Sequence, residues 1–296
     1  MYALKLAHQP KYWILAIAAS LFAIHLGLTW KTGDLKTLSI SVIFWGAIVS
    51  QIWDRKDTYN LESNLFSSVL GTVILTLALV KTSQIAEGGP FLQALPLIFA
   101  VGLGLIASGI KGLQQYWQEF LAFFILALPG ERFLSGILEG LMTLISGQQL
   151  THITAQFATL VLKIVGFNVS LDDVFIILPN STVKVYEGCS GASSIDFLMR
   201  LGFLFVIMFP TQRIAKFITP LLAILVGFFV NGVRVFIMAY LANTGDDKAF
   251  DYWHVGDGSQ IFGAIAVLLF GGACYLLIKK EDFDSSDIDP NLPSAS

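Results

Sequence analysis

Charged residues are scarce in this chain. Asp, Glu, Lys and Arg together make up 13% of the 296 residues, whereas 55% are hydrophobic. A soluble domain of this length needs more charge on its surface to stay dispersed. The composition therefore excludes an ordinary soluble domain and indicates an integral membrane protein, with the lipid bilayer as its surroundings. The sequence has no basic cluster with interleaved aromatic residues, so we expect no nucleic-acid partner.

Cysteine is scarce as well. The chain has two cysteines, Cys189 and Cys274, which lie far apart and form no CxxC motif. This spacing predicts neither a zinc site nor a disulfide framework, and we expect no metal and no cofactor. The topology derived below places the two thiols on opposite sides of the membrane, so a disulfide between them is not expected and Cys274 is interpreted as packing.

Long hydrophobic runs are what the chain has in abundance. A transmembrane helix needs about 20 mostly apolar residues to cross roughly 30 Å of hydrocarbon. This length predicts an all-α polytopic membrane protein with about eight transmembrane helices, separated by turn-forming and charged residues. The predicted spans are 12–30, 38–53, 65–80, 91–110, 115–130, 195–209, 217–241 and 255–278.

The region between the fifth and sixth predicted spans has a different pattern. Residues 133–147 and 152–167 are short and each carries a polar stripe at helical spacing, which favours amphipathic helices in the membrane interface. A tilted or re-entrant hairpin of helices is the alternative. Two runs rich in β-branched and aromatic residues, 174–178 and 182–187, flank the turn formers at 179–181 and predict a small β-hairpin.

The distribution of Lys and Arg predicts the orientation. These residues are denser in the loops on the side of the N-terminus, which favours a cytoplasmic location for both ends of the chain. The hairpin and Cys189 then lie on the extracytoplasmic side. We therefore predict one integral membrane domain over residues 1–280, with 131–190 as its extracytoplasmic part. The acidic residues 281–296 are predicted to form a disordered cytoplasmic tail.

Three reactive side chains are predicted to reach the same membrane face: Cys189, Arg234 and His254. A thiolate nucleophile needs a base, and attack on an amide needs a positive group where the oxyanion develops. Taken singly, a cysteine is usually a small buried hydrophobe and a histidine beside Trp253 an interfacial residue. Arg234 costs about 2.5–3.5 kcal/mol in a membrane and more often marks a functional site. Asp257 either orients His254 or is a helix N-terminal acid.

Further charged residues accompany this set. Asp196 and Arg200 are one helical turn apart and lie on the face beneath Cys189, so they either support the site or form an ion pair needed for folding. Glu187 is two residues before the cysteine. A nearby carboxylate would oppose formation of the thiolate, so Glu187 is not assigned the role of the base and is placed among the supporting residues.

At these residues the sequence resembles the exosortase/archaeosortase family of multi-pass membrane cysteine transpeptidases, and within it the cyanobacterial cyanoexosortase branch. The resemblance covers about residues 150–278 well. Its specificity comes from the order, spacing and matching membrane depth of three short motifs. They are Glu187-Gly-Cys189-Ser-Gly191, Asn231-Gly-Val-Arg234-Val, and Trp253-His254 followed by Gly258.

The resemblance implies a function as well as a family. The substrates would be secreted or surface proteins that end in a Pro-Glu-Pro-like motif, a transmembrane segment and a basic tail. Cys189 would attack the backbone carbonyl, His254 would move protons and Arg234 would stabilise the oxyanion, with Asn231 among the supporting residues. The acyl group would pass to water or to an amine on a cell-surface acceptor. The enzyme would work in the bacterial plasma (inner) membrane, with its active site outside.

The chain departs from the family pattern at Ser193. Many family members have an arginine four residues after the cysteine, and this chain has a serine there. Two other function classes remain as alternatives. A transporter or channel would use Asp196, Arg200 and Arg234 along an anion path, although no internal repeat supports it. Thiol–disulfide exchange would need a second thiol near Cys189.

Overall fold

The computed structural model describes residues 10–83, 89–130, 132–209, 212–256 and 258–286. These residues form helices and one small antiparallel sheet. The helices of the N-terminal part are α1 Pro10–Lys31, α2 Leu35–Asp54, α3 Leu65–Thr82, α4 Pro90–Gly112 and α5 Trp117–Ala127, with a 3-10 turn at Leu113–Tyr116. The helices of the C-terminal part are α6 Phe133–Ser146, α7 Leu150–Val165, α8 Ala192–Met208, α9 Arg213–Thr244, α10 Asp247–His254 and α11 Gly258–Ser286.

Several helix ends follow directly from the local sequence. The Asp34 carboxylate accepts hydrogen bonds from the backbone N–H groups of Lys36 and Thr37 and so caps α2. Asn64 caps α3 in the same way through the N–H of Ser67. The helix α11 runs through the first six residues of the predicted tail, and residues 287–296 lie outside the described part of the chain.

The prediction of a polytopic membrane protein is confirmed. Six helical segments among the described residues are long and apolar enough to cross a membrane. They are Trp13–Lys31, Leu35–Asp54, Leu65–Thr82, Pro90–Ala127, Arg213–Thr244 and Gly258–Ile278.

The predicted number of eight spans is not confirmed. The predicted fourth and fifth spans form one apolar stretch, Pro90–Ala127, in which the backbone kinks at Gly109 with a φ of 68°. The predicted sixth span corresponds to α8, which has 17 residues and includes two charged residues, Asp196 and Arg200. The short helices predicted at 133–147 and 152–167 are present as α6 and α7.

The chain divides into two compact units. One contains the described residues up to Gly130 together with Ile207–Phe209, and the other contains the rest. One core cluster of the first unit is formed by α1, α3 and α4. Its buried side chains are Leu21, Leu75, Ala78, Leu92, Leu95 and Phe99.

The second unit carries the sheet and the predicted site. Three antiparallel strands are arranged in the order β1 Ser170–Asp172, β2 Phe175–Ile177 and β3 Thr182–Lys184. The predicted hairpin is therefore present as β2 and β3. The sequence did not predict β1, because its three residues are too few to show an alternating pattern and a tight turn with Asp173 at φ 52° follows them.

The sheet packs against two helices of its own unit. Ile176, Leu178 and Val185 are buried together with residues of α7 and α9, namely Ala155, Ala158, Leu162, Val235 and Ala239. The two helices come close at Gly232, where an added Cβ would lie 2.3 Å from the Phe157 ring. This core fixes the end of β3 beside α9, and the chain that leaves β3 leads directly to Cys189.

Candidate active site

Cys189 ends a short 3-10 turn, Glu187–Cys189, between β3 and α8. Its backbone N–H donates to the carbonyl of Tyr186 at 2.8 Å. Its own carbonyl accepts a hydrogen bond from Asn231 Nδ2 at 2.8 Å. The half-buried cysteine is thus held on both sides, by its own turn and by α9.

Asn231 and Gly191 explain why the chain can turn at this point. Gly191 adopts the left-handed conformation with a φ of 92°, which side chains rarely adopt. A Cβ at this position would also lie 3.0 Å from Asn231 Nδ2. Asn231 is buried, so the two residues form a tight contact that connects the cysteine turn to α9.

The structure brings Cys189, Arg234 and His254 to one pocket. The pocket has a volume of about 270 Å³. Its remaining lining residues are Thr182, Val183, Lys184, Val185, Tyr186, Val235, Met238, Ala242 and Phe250. The lining contains two cations, Lys184 and Arg234, and none of the described residues that line it is acidic. The pocket is therefore mainly apolar, with two positively charged side chains in its lining.

The thiol and the imidazole face each other across a gap. Cys189 Sγ lies 4.0 Å from His254 Nε2, and the Tyr186 hydroxyl lies 3.3 Å from the same nitrogen. Catalytic hydrogen bonds are often long in the absence of substrate and shorten in the complex. The arrangement permits proton transfer between the thiol and the imidazole once the gap closes.

Arg234 reaches across from α9 to the end of α10. Its Nη2 donates to the backbone carbonyl of His254 at 2.8 Å and so holds the histidine in place. Its Nε is buried and has no hydrogen-bond partner among the described residues. A buried donor without a partner is costly. The Arg234 side chain lines the pocket together with Cys189 and His254.

The electrostatic surroundings favour a neutral imidazole. Burial is the largest effect that lowers the pKa of His254 below its usual 6.5, and the charge of Arg234 lowers it further, while Asp251 opposes both. Near pH 7 the ring is therefore unprotonated and can accept a proton. The pKa of Tyr186 is raised, chiefly by its interaction with the Cys189 side chain.

Asp196 and Arg200, which were predicted to support the site, form hydrogen bonds that connect helices. Asp196 Oδ1 accepts from the backbone N–H of Leu134 at 2.7 Å and of Ser135 at 3.4 Å, which caps the first turn of α6. Its Oδ2 accepts from Arg200 Nε at 2.7 Å. Both charged side chains are buried, and neither lines the pocket. The geometry fits a folding pair that connects α8 to α6.

The remaining sequence predictions lie at the edge of the site. Glu187 accepts from Arg132 Nη1 at 3.0 Å, and both side chains are largely exposed. Ser193 is half-buried in the first turn of α8, and Asp257 lies outside the described residues. Among the described residues, no three His, Cys, Asp or Glu side chains group as metal ligands do.

Tyr186 is the site residue that sequence reasoning missed. The alternating pattern of the hairpin assigned it to a strand, although it directly precedes the Glu187-Gly-Cys189 motif. That position in sequence was the available signal, because a residue three before the cysteine can form a turn with it. The contact with His254 joins residues 68 apart in sequence and has no local signature.

Comparison with known proteins supports the resemblance that the motifs show. The chain matches the model of the transmembrane exosortase family (Exosortase_EpsH) over residues 30–271. It is 32% identical over 141 residues to a protein named probable archaeosortase E from Methanocaldococcus jannaschii, and the match covers 48% of this chain and 72% of that relative. No solved structure matches the chain. The cyanobacterial branch stays a prediction. The chain belongs to the exosortase/archaeosortase family of membrane proteins.

Proposed function

We propose that the protein is a cysteine transpeptidase or protease that cleaves the C-terminal sorting signals of exported proteins, with Cys189 as nucleophile. The family indicates a membrane sorting transpeptidase that acts on secreted proteins with such signals. One observation carries the assignment of residues. A turn, the helix α9 and the helix α10 each deliver one side chain of the cysteine, arginine and histidine set to the same pocket.

The first half of the proposed reaction forms a thioester. His254 Nε2 takes the proton of the Cys189 thiol, and the thiolate attacks the backbone carbonyl of the substrate. The Arg234 guanidinium, whose side chain lines the pocket, donates to the oxyanion that develops. The C–N bond then breaks, and the imidazolium gives its proton to the departing amine.

The second half releases the acyl group. Water or an amine of a cell-surface acceptor attacks the thioester, and His254 removes a proton from this second nucleophile. The S–C bond breaks and Cys189 recovers its proton. The same residues serve both halves, because the histidine alternates between accepting and donating a proton.

The pocket is compatible with a short peptide motif that contains one acidic side chain. Its volume of about 270 Å³ lies just below the range of about 300–1,000 Å³ that is usual for ligand pockets. Apolar side chains such as Met238 and Phe250 suit proline or aliphatic residues. Lys184 and Arg234 suit a carboxylate, which supports a Pro-Glu-Pro-like motif next to the scissile bond.

The proposed location is the bacterial plasma membrane, with the pocket on the extracytoplasmic side. The chain is a multi-pass membrane protein. The density of Lys and Arg in the loops supports the side, because positive residues accumulate in cytoplasmic loops.

The test uses an exported reporter that ends in a Pro-Glu-Pro motif, a transmembrane segment and a basic tail. It is expressed with the wild type, with Cys189→Ala or with Cys189→Ser. We expect the wild type to shorten the reporter and both variants to leave it intact. Cys274→Ala is the matched control, since this cysteine is buried in α11 and should not affect processing. Normal processing by Cys189→Ala would overturn the proposal.

A further inference from the structure

Tyr186 places a hydroxyl beside both reacting side chains. Its oxygen lies 3.3 Å from His254 Nε2, closer than the Cys189 sulfur at 4.0 Å from the same nitrogen. All three side chains line the same pocket. Because a direct S–H to nitrogen hydrogen bond is weak at 4.0 Å, the hydroxyl is the polar group best placed to connect the thiol with the imidazole.

Local geometry fixes the tyrosine in this position. Its carbonyl accepts the Cys189 N–H in the 3-10 turn, so the two residues are held together through the backbone. Its ring lies directly over Gly188, where an added Cβ would be 2.5 Å from the Tyr186 Cε2. The ring also meets the His254 ring edge-on, with an interplanar angle of 86°. The hydroxyl therefore stays near Nε2 although the side chain is half exposed.

We propose that Tyr186 is a positioning residue whose hydroxyl bridges the Cys189 thiolate and the protonated His254. The proposal rests on the assignment of Cys189 as nucleophile and adds a residue to that site. When the S–H bond breaks and the proton forms a bond with Nε2, a negative sulfur and a positive imidazolium remain about 4 Å apart. The tyrosine O–H donates to the sulfur, and its oxygen accepts from Nε2–H.

The tyrosine stays neutral throughout this step. Its raised pKa keeps the hydroxyl protonated across the working pH range, so it can donate but does not itself release a proton. Hydrogen bonds to an ionised partner are roughly twice as strong as neutral ones, so the bridge favours the ion pair over the neutral pair. Among the described residues, the charged side chains Arg234 and Lys184 line the same pocket, and the charge of Asp251 acts on His254.

The bridge makes a prediction that differs from a packing role. A ring that only covers the pocket would act equally well as phenylalanine, because Tyr186→Phe keeps the ring over Gly188 and removes the hydroxyl alone. If the hydroxyl only formed a hydrogen bond with His254 Nε2 that competes with the thiol, Cys189 would react faster in Tyr186→Phe. The bridge alone predicts a less reactive cysteine.

The experiment measures the rate at which iodoacetamide alkylates Cys189 in the full-length protein, as a function of pH. Cys274→Ser is present in every sample so that a single thiol reacts, and intact mass reports the product. For Tyr186→Phe we expect alkylation at pH 7 to slow about tenfold, and the pH profile to move to higher pH, because a charge-assisted hydrogen bond to the thiolate is lost.

Tyr252→Phe is the matched control. Tyr252 is an exposed tyrosine on α10 that does not line the pocket, and its variant should be alkylated at the rate of the parent protein. Retention of the parent unfolding midpoint in Tyr186→Phe shows that the fold is kept. An unchanged or faster rate in Tyr186→Phe would overturn the bridge. The assay requires no processing, so its failure is separate from a failure of the Cys189→Ala test.

Discussion

Replacing Asp196 with asparagine removes one charge from a buried ion pair and keeps the shape of the side chain. The carboxylate is 1% exposed and accepts from the N–H groups of Leu134 and Ser135 and from Arg200 Nε. An asparagine keeps one oxygen for the helix cap. Its NH₂ group then meets the Arg200 guanidinium, so that a donor faces a donor where the native protein has a hydrogen bond of 2.7 Å.

The expected cost follows from the burial of both partners. Removing one partner of a buried ion pair destabilises by about 3–5 kcal/mol, because the attraction between the two buried charges is lost. The helix cap contributes about 0.5–2 kcal/mol and is largely kept in the asparagine variant. We therefore expect Asp196→Asn to lower the free energy of unfolding by about 3 kcal/mol, and Asp196→Ala to lower it further.

Titration with SDS in mixed micelles measures these free energies. Arg200→Gln and the double variant complete the cycle, and we expect a coupling energy of about 1–3 kcal/mol between the two positions. Cys189 alkylation in the same samples reports whether the cysteine turn at the start of α8 is disturbed. A loss of less than about 1 kcal/mol in Asp196→Asn, with no coupling to Arg200, would refute the reasoning.

Three further outcomes follow from the site geometry. Asn231→Ala removes the hydrogen bond to the carbonyl of the half-buried Cys189 and should cost about 1 kcal/mol in the same titration, because a part-buried hydrogen bond is lost. The lowered pKa of His254 keeps the imidazole neutral at pH 7, so the midpoint of the acid limb in a pH–rate profile of reporter processing should lie below pH 6.5. Gly188→Ala should displace the Tyr186 ring and slow Cys189 alkylation by about the same factor as Tyr186→Phe, since the added Cβ would lie 2.5 Å from Cε2.

The sequence predicted the helices well and their number less well. Apolar runs mark helices directly, because the hydrocarbon core imposes a length of about 20 residues. The count depends on where such runs break. The kink at Gly109 leaves Pro90–Ala127 as one apolar stretch, and Asp196 with Arg200 lowers the hydropathy of α8. The length of an apolar run alone therefore does not give the number of transmembrane spans.

The residues of the candidate site also differ in whether the sequence predicted them. Cys189, Arg234 and His254 were predicted together because reactive residues near the same membrane depth meet whenever their helices do. Tyr186 and the cap formed by Asp196 were not predicted. Each depends on a contact between distant parts of the chain, 68 residues apart for Tyr186 and His254 and 62 for Asp196 and Leu134. Periodicity carries no information about such contacts.

The covalent intermediate tests the central claim most directly. The wild-type protein is mixed with the reporter, the reaction is stopped with acid, and the adduct between chain and reporter is digested and mapped by mass spectrometry. We predict a hydroxylamine-sensitive thioester at Cys189 that is absent from Cys189→Ala, together with loss of reporter processing in that variant. An adduct at another residue, or continued processing by Cys189→Ala, would contradict the assignment of Cys189 as the nucleophile.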